Sequence, residues 1–411
     1  MKRKKEIMII MIVAILILFL KAINVLQLEN NLGRPLVLIC LIIIFSFFAI
    51  FIQNKIDKNH QNQQLNYKNI DILKYICAIL IIALHLRPFQ NFSNELDLAF
   101  NNIITRICVP MFFLITGYFV AKKEKDHENY IKEYIKKTIP LYLTWSALYL
   151  PVLLGTVLQN VELINSYLVN VNIPFYFLIP IIVLLIPIAL VIALVYTGVY
   201  YHLWYFPALI LSLVVLAKWK KKWNVKYLLV ISFVLLLFGA TETYYGVLPV
   251  SIKQLLSLYY HFFFTTRNFL FFGLFYVVLG YQMGKKKDLY SKYCFEKLVI
   301  CIFLLVFEAI LLHDTNRLNS NILLSCVPLT YYLFISVVYF SKKQDYHFPF
   351  RNLSKYYYLV HPMIIFIVAS LFPTISNHPY INILMVLIIT HLVSWMIIKI
   401  KKCFHFKYLT L

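Results

Sequence analysis

Charged residues are scarce in this chain: they make up 14% of its 411 residues, whereas 62% are hydrophobic. Its mean hydropathy is +0.77. A water-soluble domain of this length needs many more polar residues to cover its surface, so the composition excludes a soluble globular enzyme. It also excludes a disordered chain, because such chains are poor in hydrophobic residues. The composition therefore indicates a membrane protein.

Short strands of alternating hydrophobicity are missing too, which excludes an outer-membrane β-barrel. The apolar residues come instead in runs of about 17–25, the length that crosses a bilayer core as a helix. We therefore predict an all-α fold, a polytopic transmembrane helical bundle that sits in the lipid bilayer. The thirteen runs lie near residues 7–26, 35–53, 72–89, 103–121, 138–158, 171–197, 201–217, 227–243, 268–284, 298–313, 321–340, 356–371 and 381–399.

The seven cysteines form no CxxC pair, and the eleven histidines show no metal-ligand spacing, so we expect neither a disulfide framework nor a metal site. Acidic residues are scarce: 17 Asp and Glu stand against 39 Lys and Arg, for a net charge of +22. On a soluble protein this excess would suggest a nucleic-acid partner. Here the basic residues lie in short loops between apolar runs, where they mark the cytoplasmic side, so we expect no nucleic-acid partner.

Basic and polar segments set the predicted domain organisation. Residues 1–5 are basic and precede an apolar run without a small-residue cleavage site, which favours a retained signal anchor. The stretch 54–69 is rich in Asn, Gln and Lys, which is typical of a linker. We therefore expect two N-terminal transmembrane helices and a cytoplasmic linker in residues 1–69, a membrane domain in 70–402 and a short cytoplasmic tail in 403–411.

One apolar run is broken by proline. Pro174, Pro180 and Pro187 interrupt the run 171–197, and proline bends or ends a helix. If this run is a re-entrant or broken segment, the lysine clusters fall on the cytoplasmic side. We then predict twelve crossings of the plasma membrane with both termini cytoplasmic. No internal repeat carries a matching second break, which disfavours the inverted-repeat architecture of many transporters.

The first run of the membrane domain carries two polar side chains on one helix face. Lys74 and His85 are eleven residues apart, about three turns or roughly 16 Å. A lysine at the cytoplasmic end could hold the phosphates of a donor, and a deeper histidine could take a proton from a hydroxyl. Equally, the lysine could extend to the membrane surface and the histidine could bond a neighbouring helix carbonyl. Periodicity alone leaves both interpretations open.

Titratable side chains inside other apolar runs are costly, which makes each of them a functional candidate. Arg106 enters the membrane on a run in which Gly117 allows close helix packing. Glu308 lies in the body of an apolar run and needs either a cationic partner or a proton. His202 lies in an aromatic stretch that is typical of a membrane-interface belt, and a single intramembrane histidine such as His361 is more often structural.

Five motifs follow one another along the chain: Asp71-x-x-Lys74-x10-His85, Arg106–Tyr118, Tyr201–Pro207, Thr266–Gly280 and Leu353–Pro362. In this order they resemble the acyltransferase-3 family of integral membrane acyltransferases, over about residues 71–402, with Thr116 where the family usually has serine. The motifs are also similar to the membrane half of the vancomycin-resistance membrane serine racemases. We expect no racemase domain in this chain, and the run 171–197 and the two N-terminal helices depart from the family pattern.

The resemblance implies a ten-helix core that binds an acyl-CoA donor, with acetyl-CoA as the expected donor, from the cytoplasm. The predicted function is an O-acyltransferase that acts on a hydroxyl of a cell-envelope saccharide, either a glycan or a lipid-linked sugar. The alternatives are a transporter of a small polar solute such as an amino acid, and a resistance partner without catalysis. The predicted site residues are His85 and Glu308 for catalysis, Lys74 and Arg106 for the donor, and Trp204, Arg267 and His313 for the acceptor.

Overall fold

The computed structural model describes residues 67–159, 187–286, 289, 291, 293–313, 320–339 and 348–404. The regular elements of these residues are helices, which confirms the predicted all-α bundle. The two predicted N-terminal helices, the greater part of the proline-broken run (171–186) and the tail from residue 405 lie outside the described residues.

Irregular helical turns join some of the described helices. A π-helical turn, Phe100–Ile104, and a 3-10 turn, Thr105–Ile107, lie between Ala99 and Cys108, and another π-helical turn, Phe269–Gly273, directly precedes Leu274. The helices are α1 (Lys68–Leu86), α2 (Asn94–Ala99), α3 (Cys108–Lys123), α4 (Tyr130–Gln159), α5 (Pro187–Thr197), α6 (Tyr205–Trp219), α7 (Val225–Ala240), α8 (Val250–Phe263), α9 (Leu274–Lys285), α10 (Cys294–His313), α11 (Cys326–Tyr339), α12 (Phe350–Leu371) and α13 (Pro379–Phe404).

Five described helical stretches are long and apolar enough to cross a membrane. They are α1, the continuous stretch Leu96–Lys123, the whole of α12, and the greater parts of α4 and α13. At 1.5 Å per residue the 19 residues of α1 rise about 28 Å, close to the thickness of a bilayer core. The described part of the proline-broken run, α5, belongs to the shorter apolar helices of 10–17 residues. Length and composition thus fit a membrane protein.

Helices α3 and α9 pack backbone to backbone. A Cβ atom on Gly117 would lie 2.1 Å from the carbonyl oxygen of Val277, and one on Gly280 would lie 2.0 Å from that of Leu114. Neither distance is possible for a real side chain, so only glycine allows this approach. The packing role predicted for Gly117 is confirmed.

Helix α1 lies against α3 on one side and α12 on the other. Near the start of α12, Arg351 Nε donates to both carboxylate oxygens of Asp71, at 3.2 Å each. Further along α12, the carbonyl oxygen of Leu359 accepts a hydrogen bond of 2.7 Å from the buried hydroxyl of Tyr149 on α4. These polar contacts fix α12 against α1 and α4, and they leave two cavities along α1.

Candidate active site

The two cavities lie at opposite ends of α1. The Lys74 cavity has a volume of about 310 Å³ and is lined by residues of α1, α3, α4, α6 and α12. The His85 cavity is smaller, about 70 Å³, and is lined by residues of α1, of α3 and α6 with the turns before them, of the segment that leads into α9, and by Asn321 and Tyr358. Lys74 and His85 thus share the predicted face of α1 but contact different cavities.

Positive charge characterises the Lys74 cavity. Lys74, Lys123, Arg351 and Lys355 line it, and none of its described lining residues is acidic. Asp71 pairs with Arg351 without itself lining the cavity. Opposite charges 4 Å apart attract by about 4 kcal/mol at the effective dielectric constant of a protein surface. The Lys74 cavity is therefore suited to an anion of several charges, such as a group of phosphates.

Histidine characterises the other cavity. The His85 side chain is exposed at its wall, and its ring stacks on that of His361 with the centroids 5.5 Å apart and the planes at 21°. The His202 ring meets His361 edge-on at 5.7 Å. His202 and His361 are 3% and 0% exposed. Among the described residues there is no group of three or more His, Cys, Asp or Glu side chains that could hold a metal ion.

Hydrogen bonding sets the state of one of these rings. His361 Nδ1 lies 2.8 Å from the carbonyl oxygen of Tyr357; because a carbonyl only accepts, this nitrogen carries the proton. His361 Nε2 and both nitrogens of His202 are buried and have no hydrogen-bond partner among the described residues. An unmet buried donor or acceptor costs about 1–3 kcal/mol. His202 lines the cavity, so a molecule bound there is its available partner.

Two arginines and a tryptophan also meet at the His85 cavity. Arg106, brought in by the π and 3-10 turns, donates from Nη2 to Asn102 Oδ1 at 3.1 Å. The guanidinium of Arg267 lies over the Trp204 ring, 5.0 Å from its centroid. The three side chains line the cavity together with His85. Arg106, predicted to hold the donor beside Lys74, thus lies in the other cavity.

A buried acid positions the loop that carries Arg267. The Glu242 carboxylate is 3% exposed and accepts hydrogen bonds from the backbone nitrogen of Thr266 at 2.8 Å and from its hydroxyl at 2.6 Å. Thr265 adds a third bond of 3.1 Å. Sequence reasoning missed Glu242 because it lies at the end of an apolar run, where an acid is expected to reach water.

Glu308, by contrast, lies outside both cavities. Its carboxylate accepts bonds from the backbone nitrogens of Leu324 and Ser325, at 2.6 and 2.8 Å, and from the hydroxyls of Ser325 and Tyr244. It therefore holds the chain where α11 begins, and it does not line the His85 cavity. The side chain of His313, the remaining predicted acceptor residue, is outside the described part of the chain.

Three aromatic rings separate the two cavities. Phe112, Tyr205 and Tyr358 line both of them, and we call these residues the three-ring wall. Their centroids form a triangle with sides of 6.3 Å (Phe112 to Tyr205), 6.3 Å (Phe112 to Tyr358) and 5.7 Å (Tyr205 to Tyr358). Sequence reasoning missed the wall because its members come from three distant segments, and a belt at the membrane surface accounts equally well for aromatic residues in such runs.

The fold and these cavities describe an integral membrane protein with a polar interior. A family model described as an acyltransferase domain matches residues 67–399, so the chain belongs to the acyltransferase-3 family. The predicted family resemblance is thereby confirmed, and the chain belongs to a class of membrane acyltransferases. All the residues of both cavities lie inside the matched range.

The curated relatives carry a different kind of name. The chain is 26% identical over 352 residues to an "Amino-acid racemase" of Enterococcus faecalis, which covers 81% of this chain and 46% of the relative. It is 27% identical over 335 residues to a "Serine/alanine racemase" of Enterococcus gallinarum, covering 79% of this chain and 45% of the relative. The chain thus spans less than half the length of these relatives. No solved structure matches it.

Proposed function

We propose that the protein transfers an acyl group from acyl-CoA to a hydroxyl group of a cell-envelope saccharide. The observation that carries the proposal is the pairing of a cation-lined cavity with a histidine-lined one at the two ends of α1. Transfer of an acyl group from acyl-CoA to a hydroxyl needs a site that binds the phosphates of the donor and a base that takes the proton of the hydroxyl. The family supports the reaction class.

The donor half of the proposal is set by charge and size. The cations of the Lys74 cavity bind the phosphates of CoA. Of these cations, Lys74 lies on α1, the helix that also carries His85. A volume of about 310 Å³ has room for a pantetheine-like arm but not for a whole CoA. The nucleotide end therefore stays at the mouth of the Lys74 cavity, which we assign to the cytoplasmic side.

The chemistry takes place at His85. Its imidazole accepts the proton of the acceptor hydroxyl while the hydroxyl oxygen attacks the carbonyl carbon of the thioester. The carbon–sulfur bond then breaks, and the proton passes from His85 to the leaving sulfur. The products are an ester and the CoA thiol, and His85 ends in its starting state.

The neighbours of His85 take supporting roles. Arg106 and Arg267 stabilise the negative charge that develops on the carbonyl oxygen. Trp204 and His202 contact the acceptor: the tryptophan offers a face on which a sugar ring can pack, and the orphan nitrogens of His202 bond its hydroxyls. His361 positions His85 by stacking on it. We assign Glu308 a positioning role at α11 rather than a place at the reacting atoms.

The cellular setting follows from the donor. Acyl-CoA is cytoplasmic and does not cross a bilayer, whereas envelope saccharides are outside it. A multi-pass plasma-membrane protein with cytoplasmic termini, with the Lys74 cavity facing inward and the His85 cavity facing outward, would connect the two pools. The small His85 cavity favours a short acyl group, with acetyl as the first choice.

The test is acetyl transfer by membranes that contain the protein. Vesicles supplied with labelled acetyl-CoA and an envelope saccharide fraction should yield a labelled ester, identified by a mass increase of the saccharide. The His85→Ala variant should yield none. His378→Ala is a matched control, because His378 is exposed and lines neither cavity. Equal label with wild type and His85→Ala would reject the proposal.

A second candidate is movement of an amino acid through the membrane. The names of the racemase relatives favour it, because the molecules in those names are amino acids. Uptake of labelled serine into vesicles, measured without any acyl-CoA, separates this candidate from acyl transfer.

A further inference from the structure

The three-ring wall leaves a path between the two cavities that is at most one atom wide. The centre of a triangle with sides of 5.7 to 6.3 Å lies about 3.5 Å from each ring centroid, which is contact distance for a single carbon atom. The pantetheine arm of an acyl donor, with its methyl and carbonyl branches, is wider than that. A donor held at Lys74 therefore cannot present its thioester to His85 by this route unless a ring of the wall moves.

Hydrogen bonds hold two of the three rings. Thr116 Oγ uses its proton on the carbonyl oxygen of Phe112 at 2.9 Å, so Tyr205 donates its own hydroxyl proton to Thr116 across 3.4 Å. Tyr358 donates its hydroxyl to the carbonyl oxygen of His202. The third ring, Phe112, has no polar atom and is only partly buried. It is the member of the wall that can rotate without breaking a hydrogen bond.

We propose that Phe112 is a gate between the donor and acceptor cavities. With the ring in place, the two cavities are separate. With the ring turned aside, an acyl–pantetheine arm passes between Tyr205 and Tyr358 and fills the opening, which keeps water of the Lys74 side away from the thioester at His85. The identity of that arm rests on the proposed function, whereas the closure of the wall does not.

The gate also sets which acyl groups the protein accepts. An acyl chain that has passed the wall must fit a cavity of about 70 Å³ that is already shared with His202, Arg106 and Arg267. That volume holds a few waters at about 10–15 Å³ each, or one small group. A short acyl group therefore fits beyond the wall with its thioester at His85, whereas a longer one holds its thioester back at the wall, away from His85.

Cysteine labelling tests the closure without any acyl transfer. Leu84→Cys reports on the His85 cavity and Asn352→Cys on the Lys74 cavity, each against a parent without an introduced cysteine. A charged methanethiosulfonate reagent is applied to vesicles from the face at which Asn352→Cys reacts. If the wall is closed about 90% of the time, combining Leu84→Cys with Phe112→Ala should raise its labelling rate from that face about tenfold.

Two further variants keep the test decisive. Phe112→Tyr preserves a ring of the same size and should leave labelling of Leu84→Cys slow. Phe112→Leu removes less of the side chain than Phe112→Ala and opens the wall less, so it replaces the alanine variant if that variant does not fold. Equal labelling rates with Phe112 intact and with either smaller residue would overturn the gate.

Activity supplies the second measurement. In Phe112→Ala, the ratio of acetyl-CoA hydrolysis without acceptor to acetyl transfer with acceptor should rise, because water can pass beside the arm. Butyryl-CoA should also become a better donor relative to acetyl-CoA, because the missing ring leaves room for a longer acyl chain. An unchanged ratio together with unchanged labelling would overturn the gate while leaving the proposed function intact. The expected labelling in a protein that transfers no acetyl group would support the gate and reject the proposed function.

Discussion

The Lys74 cavity and the His85 cavity lie along the same face of one helix and differ in almost every physical property. The first is large, lined by four cations and bounded by exposed helix ends. The second is small and is lined by His85, the buried His202 and two arginines, while His361 stacks on His85 without lining the cavity. Charge at an open mouth attracts and holds a ligand, whereas titratable groups in a confined space change its bonds. Under the proposed function, this difference gives binding to one end of α1 and chemistry to the other.

The sharpest way to break this division is His85→Ala. If His85 is the general base, transfer should fall by about 10²–10⁴-fold while acyl-CoA binding stays unchanged, because the donor is held at the other cavity. Turnover and donor affinity are measured separately, the latter by titration of the purified protein. A loss of donor affinity as large as the loss of turnover would show that the two cavities are not functionally distinct.

The converse change is Lys74→Ala. Removing one of several cations should weaken acyl-CoA binding by about tenfold, the equivalent of 1.4 kcal/mol, and the loss should shrink at high salt. Turnover at saturating donor should change little. Lys74→Arg keeps the charge and serves as the matched control. Donor affinity that does not respond to Lys74→Ala would reject the cation-lined cavity as the phosphate site.

A smaller effect is expected from His361→Phe, which sharpens the account of the His85 cavity. The phenyl ring keeps the stack against His85 but removes the imidazole nitrogens. If His361 acts by stacking alone, turnover should fall by less than about threefold. His361→Ala, which removes the stack as well, should lower turnover further at unchanged donor KM. Equal losses in both variants would assign the effect to the nitrogens instead.

Glu308→Gln should have the smallest effect on catalysis. The amide keeps one acceptor oxygen, but its NH2 group is a donor and faces a backbone N–H, which is also a donor. The free energy of unfolding should therefore fall by about 1–3 kcal/mol. Thermal unfolding in detergent measures this loss. Turnover per folded molecule should stay near that of the wild type. A normal unfolding temperature with strongly reduced turnover would return Glu308 to the catalytic group.

Sequence reasoning located α1 and its polar face because helical periodicity and the cost of polar groups in lipid are local properties. The cost of a charge in lipid also singled out Arg106, whereas Trp204 and Arg267 came from segments that resemble the family. It could not assign them to a cavity, because membership depends on how the turns at Phe100–Ile104 and before α9 direct the chain. That information lies in tertiary packing.

The sequence-based interest in Glu308 has a physical reason. From the sequence, an acid in an apolar run needs a cation or a proton, and function is the natural explanation. Its partners are backbone nitrogens at Leu324 and Ser325, and backbone groups have no signature in the sequence. His361 was undervalued for the opposite reason: a lone histidine in a membrane helix looks structural until its neighbours are known.

The contact at Gly117 and Gly280 makes the α3–α9 pair a rigid unit, and this unit positions residues of the His85 cavity. A methyl group at either position would force the two backbones apart by about 1 Å to restore ordinary contact with a carbonyl oxygen. Phe112 lies just over one turn before Gly117, and Arg106 lies about two turns further back. Both residues would therefore shift with α3. A substitution at either glycine, remote from every reacting atom, would therefore misalign the three-ring wall and the His85 cavity together.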